Sequence, residues 1–91
     1  MQYKTANKFW DSYQELPKEI QALAVEKFAL FIQNPHHNSL RTRKMEGKKE
    51  EIWEGHINLD YVFVFRYIEI DGEKAIESLD IGKHDVVYAR A

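Results

Sequence analysis

The chain has 91 residues, of which 13% are aromatic and 31% charged, with a net charge of −2 and no cysteine. That length builds one domain over residues 1–91, burying about 60–65% of its unfolded surface, and the lack of cysteine excludes disulfides, thiolate nucleophiles and Cys-based zinc sites. The longest aromatic–aliphatic run, Tyr61–Phe65, is far too short to span a bilayer, and MQYKTANKFW lacks the apolar core of a signal peptide, so a soluble cytoplasmic protein with no membrane partner is expected.

In chain order, Gln2–Lys4 reads as a short opening strand. Thr5–Leu16 places Phe9, Trp10, Tyr13 and Leu16 at helical spacing, with Thr5 or Asn7 as the expected N-cap. Pro17 ends that helix and suits the first turn of the next, Pro17–Gln33, whose expected apolar stripe is Ile20, Leu23, Ala24, Phe28, Phe31 and Ile32. Asn34-Pro35 stops it, because the residue before proline avoids the α region. His36 and His37 read as loop decoration, and Leu40–Met45 as a strand. Ile52–Ile57 and the alternating Tyr61–Tyr67 form a hairpin about the turn Asn58-Leu59-Asp60. Asp71-Gly72 is a second hairpin turn, leading to a strand over Lys74–Ile81 that Gly82 ends. There, Ile76, Ser78 and Asp80 are expected on one face, with Ala75, Leu79 and Ile81 on the other. Lys83–Tyr88 reads as a tail with one helical turn. The fold class is therefore α+β: a small antiparallel sheet of about four to five strands packed against an N-terminal helical hairpin.

Charge is unevenly placed. Residues 41–49 hold five bases (Arg41, Arg43, Lys44, Lys48, Lys49) and one acid, whereas residues 50–91 carry ten acids and four bases. Taken singly, His56 is a solvated strand histidine, Asp60 a turn residue, His84 a loop histidine and Tyr88 a plug at the core edge. Taken together, they gather at one rim of the sheet if the strands of His56 and Ile81 share it. Two imidazoles supply a base and an acid near neutral pH. Lysines and arginines hold a phosphodiester and its developing charge. That combination suits RNA cleavage by the 2′-hydroxyl on its own phosphate, with no cofactor and no metal. No Gly-rich phosphate loop, HExxH, EF-hand or serine elbow is present.

These residues carry a resemblance. The helical hairpin ending at Asn34-Pro35, then SLRTRKMEG (39–47), IWEGHINLDYVFVF (52–65) and IGKHDVVY (81–88), resemble in order the RelE/ParE toxin superfamily of type II toxin–antitoxin systems. His56-x-x-x-Asp60, and His84 followed four residues later by Tyr88, are similar to the YafQ-like branch of ribosome-dependent mRNA endoribonucleases. Arg43 stands where that branch has a further histidine, and Val62 where the RelE branch has an arginine. The resemblance implies a RelE-like fold and a toxin that enters the ribosomal A site of the 30S subunit and cuts mRNA. It implies His84 as general acid, His56 supported by Asp60 as base, Arg43 and Lys44 on the scissile phosphate, and Tyr88 stacking on or orienting a nucleobase. The partner it implies is a cognate antitoxin, with homo-oligomerisation in that complex left open. ParE-like members share the fold as non-catalytic gyrase inhibitors; a degenerate toxin that only binds its antitoxin is the third alternative.

Overall fold

The computed structural model describes residues 2–90, which run β1 (Gln2–Thr5), α1 (Asn7–Gln14), α2 (Lys18–Gln33), a 3-10 turn (Asn38–Leu40), β2 (Arg43–Lys44), β3 (Trp53–His56), β4 (Tyr61–Ile70), β5 (Glu73–Lys83) and α3 (His84–Arg90). The strands form one sheet of order β1-β5-β4-β3-β2. Four strands pair antiparallel, as expected, and β1 joins parallel to β5, with Gln2 opposite Ala75 and Thr5 opposite Ser78.

Alternation along β4 sets the architecture. Phe63 and Phe65 point beneath α1 and α2 and are fully buried. Phe31 of α2 meets both rings edge-on, at centroid distances of 5.0 and 4.9 Å. Gly55 lies opposite Phe63, and a Cβ there would come within 2.4 Å of the Phe63 ring. The absent side chain is thus what admits the phenyl group. Val62 and Val64 face the other way, under Val87 of α3, with Met45 and Ile52 completing a smaller second core.

The hairpin of helices is closed by Tyr13 and Gln21, the Tyr13 hydroxyl donating to the Gln21 carbonyl at 3.4 Å. Gln21 Nε2 donates to the carbonyls of Tyr13 and Leu16 at and just beyond the end of α1, where backbone acceptors outnumber helical donors. Pro17 is the N-cap of α2 rather than part of its first turn, its carbonyl accepting from Ile20 and Gln21. Neither Thr5 nor Asn7 caps α1. Strand β1 runs up to Thr5, so Ala6 alone joins strand to helix, and its N–H is used on Ser78 O. Ile32, expected in the core, is instead 58% exposed.

Three further expectations are corrected. Leu40–Met45 is not one strand: Asn38–Leu40 is a 3-10 turn and Arg41 is left-handed (φ 49°), leaving Arg43–Lys44 alone extended. Ile76 and Ile81 do not lie on opposite faces. A bulge between Val64 and Phe65, where the β5 partner steps from Asp80 to Ser78, inserts Leu79 and resets the alternation, so both isoleucines reach the hairpin core. Gly82 does not end β5; it pairs with Val62 inside the strand, and its missing side chain leaves room for Val87. The tail is a two-turn helix, α3, pinned to β5 by a forked pair in which Arg90 Nε and Nη2 donate to the buried Asp80 carboxylate at 2.9 and 3.1 Å. The Asp71-Gly72 turn has positive φ at both residues, as a two-residue hairpin of type I′ requires.

Candidate functional site

Strand register brings the chemistry to one end of the sheet. His56 pairs with Val62, and Val62 with Gly82, so β3, β4 and β5 end together where α3 begins. The His84 N–H donates to Asp60 O at 2.9 Å, tying the start of α3 to the β3–β4 turn. His56, Asp60 and His84 line one open cleft of about 570 Å³ with Leu59, Lys83 and Asp85. The turn itself is shaped by Asn58, whose side-chain oxygen accepts from the N–H groups of Asp60 and Tyr61.

His84 and Tyr88 lie one helical turn apart, and their rings stack at 4.1 Å between centroids. The Tyr88 hydroxyl donates to Glu54 Oε2 at 2.8 Å and accepts from Arg43 Nη2 at 3.2 Å. Arg43 Nε donates to the other oxygen of the same carboxylate. His84 Nε2 is 3.9 Å from Glu54 Oε2, and its Nδ1 is 3.5 Å from Asp85. A single buried carboxylate therefore gathers Arg43, Tyr88 and His84. Burial, then the bond to Glu54, pushes the Tyr88 phenol above its ordinary value, with Arg43 opposing. Tyr88 is thus a donor at neutral pH. The bond to Glu54 raises the Arg43 guanidinium further still, so it is a permanent cation.

Glu54 is the residue that sequence reasoning missed. Between Trp53 and Gly55, two before His56, it reads as part of a solvated polar face. That face is instead roofed by α3, and Glu54 has no exposed surface. The available signal is the strand pairing that sets Arg43 opposite Glu54, since opposite charges on facing residues attract.

His56 Nδ1 lies 3.2 Å from Arg41 O. A carbonyl only accepts, so this nitrogen carries the proton and Nε2 of the neutral ring keeps its lone pair. Among the described residues, no hydrogen bond reaches the Asp60 carboxylate, so Asp60 shares the cleft without touching His56 through such a bond. The basic segment divides. Arg43 is at the site, and Lys48 Nζ is 3.5 Å from Tyr88 O. Lys44 follows Arg43 in β2 and so projects to the opposite face. Lys48 and Lys49 also line a groove of about 590 Å³ beside Lys8 and Arg90, over Ile52, Val64 and Leu79. His36 is not decoration: its Nε2 is 2.7 Å from the Tyr67 hydroxyl, and its ring meets Trp53 edge-on at 5.1 Å. His37 Nδ1 accepts from the Ser39 N–H and caps the 3-10 turn.

Among the described residues, no group of three or more His, Asp or Glu side chains is placed to hold a metal ion, and no helix is long and apolar enough to cross a membrane.

No protein-family model matches this chain, and no curated protein matches it in sequence. Solved structures do match in fold. A YoeB/ParE toxin from Agrobacterium tumefaciens superposes with TM-score 0.71 at 17% identity, covering 92% of this chain and 99% of that one. The archaeal RelE–RelB complex from Pyrococcus horikoshii OT3 gives 0.67 at 19% identity, over 90% and 92%. The E. coli DinJ–YafQ toxin–antitoxin complex gives 0.73 at 13% identity, over 97% of each chain. The chain has the fold of the RelE/ParE toxins.

Proposed function

We propose that this chain, built on the RelE/ParE fold, is the toxin of a toxin–antitoxin pair and cuts mRNA on the ribosome in the cytoplasm. One observation carries the reading: His56, with Nε2 free to accept a proton, shares a cleft with His84, and a permanently charged arginine adjoins it through Tyr88 and Glu54. The structures of similar fold named above are of toxins, two of them in complex with an antitoxin.

In the proposed reaction, His56 Nε2 takes the proton of a ribose 2′-hydroxyl as its oxygen bonds to the adjacent phosphorus. His84 gives a proton to the departing 5′-oxygen as the P–O5′ bond breaks. The products are a 2′,3′-cyclic phosphate and a 5′-hydroxyl end. Arg43 uses two of a guanidinium's five N–H groups on Glu54 and Tyr88, which leaves three for a phosphate oxygen whose charge grows in the transition state. Tyr88 holds the His84 ring by stacking, while Glu54 fixes Tyr88 and Arg43. Arg41, Lys48 and Lys49 add field along the RNA track, worth more in rate of encounter than in chemistry, whereas Lys44 lies on the opposite face and takes no part in it.

In vitro translation with the purified protein tests this. Fragments ending in a 2′,3′-cyclic phosphate are expected, and His84→Ala and His56→Ala each lower the cleavage rate about 100-fold or more. If both variants cut at the wild-type rate, the assigned roles are wrong.

A non-catalytic, gyrase-inhibiting reading is favoured by a different observation. Trp10, Val25 and Ile32 on the helical hairpin are 50%, 59% and 58% exposed, an apolar surface unconnected with the cleft. Blocked DNA supercoiling with untouched mRNA identifies that case. In either case the partner is an antitoxin, and the groove lined by Lys48 and Lys49 over an apolar floor, where Lys8 and Arg90 already neutralise Asp80, and Glu50 is the remaining acid, is where an amphipathic segment of that partner would lie. Co-purification with the product of the neighbouring reading frame tests it.

A further inference from the structure

The segment 34–42 joins the helical hairpin to the sheet, and its bonds are more numerous than a connection needs. The Asn34 side chain accepts from the His36 N–H, and the Asn34 carbonyl accepts from the His37 N–H. Leu40, with no exposed surface, anchors the middle in the core. The His36 ring reaches outward to two elements at once: Nε2 to the Tyr67 hydroxyl on β4 at 2.7 Å, and Nδ1 to Thr42 Oγ1 at 3.0 Å. Thr42 is the residue immediately after Arg41.

Arg41 is left-handed, φ 49° and ψ 46°, an uncommon conformation for a residue with a side chain. The register of β2 and β3 sets Arg43 opposite Glu54, so continuing it places Arg41 opposite His56. The left-handed turn takes Arg41 out of the ladder. Its carbonyl, which a regular strand would spend on a backbone N–H, accepts from the His56 ring instead.

We infer that segment 34–42 is a positioning device for His56: the left-handed Arg41 carbonyl fixes the imidazole as its Nδ1–H tautomer and aims Nε2 into the cleft, and His36 is the latch that holds the carbonyl in place. His36 is a positioning residue, acting through Thr42 and Arg41. The consequence for chemistry rests on the reading of His56 as the base, but the tautomer does not.

The test is imidazole nitrogen NMR on the full ¹⁵N-labelled chain, at a pH above the range in which histidines titrate. The wild-type His56 ring is expected to carry its proton on Nδ1. In His36→Ala the ratio of Nδ1–H to Nε2–H rings is expected to fall about fivefold, the factor that one net hydrogen bond is worth. Arg41→Gly, which enters the left-handed region freely, is expected to keep the wild-type ratio. Arg41→Val, β-branched and disfavoured there, is expected to lose it. A wild-type ring protonated on Nε2 overturns the proposal, and so does a ratio that ignores both His36→Ala and Arg41→Val. Should either variant fail to fold, the wild-type tautomer and Arg41→Gly still decide. If the tautomer is as stated but His56→Ala cuts mRNA like wild type, the positioning device stands and the nuclease reading falls.

Discussion

The two faces of the sheet are filled by different chemistry. Beneath α1 and α2, Phe9, Phe28, Phe31, Phe63 and Phe65 meet edge-on or tilted, with Phe63 and Phe65 stacked on each other, at centroid distances of about 5 to 6 Å. Beneath α3, a thin layer of Val62, Val64, Met45, Ile52 and Val87 sits beside a buried carboxylate and its partners. Burial of these rings stabilises the domain in proportion to the apolar area removed from water, a non-directional contribution that tolerates small shifts better than a hydrogen bond does. The polar network depends on angles and on complete pairing, because one unpaired buried group costs more than the bond it replaces returns. Stability and site geometry are thus assigned to opposite sides of one sheet.

Substitutions can break that division. The largest effect is expected from Phe63→Ala, which removes a fully buried ring contacted by Phe28 and Phe31. It should lower unfolding free energy by about 3–5 kcal/mol in chemical denaturation, with the surviving folded fraction retaining its His84–Tyr88 geometry. A folded Phe63→Ala chain with wild-type stability would show that the helical hairpin does not carry the fold.

Glu54→Ala comes next. Glu54 has no exposed surface, but its arginine partner is 66% exposed, so water recovers part of the loss. A stability loss of about 1–3 kcal/mol is expected, together with, on the proposed reading, a fall in mRNA cleavage larger than the unfolded fraction explains. Equal losses from Phe63→Ala and Glu54→Ala, with cleavage tracking stability alone, would erase the distinction between the faces.

The smallest effect is set by pH. The phenols of Tyr3 and Tyr67, on the hairpin side, and of Tyr88, on the α3 side, are all raised from 10.0, in each case chiefly by burial. A phenol with a higher folded than unfolded pKa holds its proton more tightly when native. Its contribution is therefore complete below about pH 10 and is lost as pH climbs through the folded value. Stability measured from pH 8 to 11 should be level in this respect and then decline. Absorbance titration should show these phenols ionising later in the folded than in the denatured chain. Identical titration curves would contradict the burial described.

The two faces were also unequally legible in the sequence. Alternation of Tyr61, Phe63, Phe65 and Tyr67 announces the hairpin-facing side, because aromatic side chains at period two admit few other arrangements. Phase along β5 was not readable: the bulge at Leu79 leaves no mark in composition, and it alone decides that Ile76 and Ile81 share a face. The site residues His56, Asp60 and His84 were placed at one rim by strand order, and the structure brings them to one cleft. Glu54 escaped because it alternates with the polar His56 and Asn58, and because its roof, α3, is a helix whose sequence HDVVYAR shows little apolar period. Likewise His36, in a loop beside a proline, gives no hint that Tyr67 and Thr42 await it. In each case the deciding contact joins segments far apart in sequence.

The parallel pairing of β1 with β5 bears on how the molecule is born. A nascent polypeptide that has emerged only as far as β4 holds its opening strand in waiting, with no neighbour to receive it. The same unfinished polypeptide lacks α3, and with it His84 and Tyr88. Sheet closure and assembly of the reactive rim are therefore completed late and together. On the proposed reading, the ribosome is not exposed to an armed fragment while it is still making one.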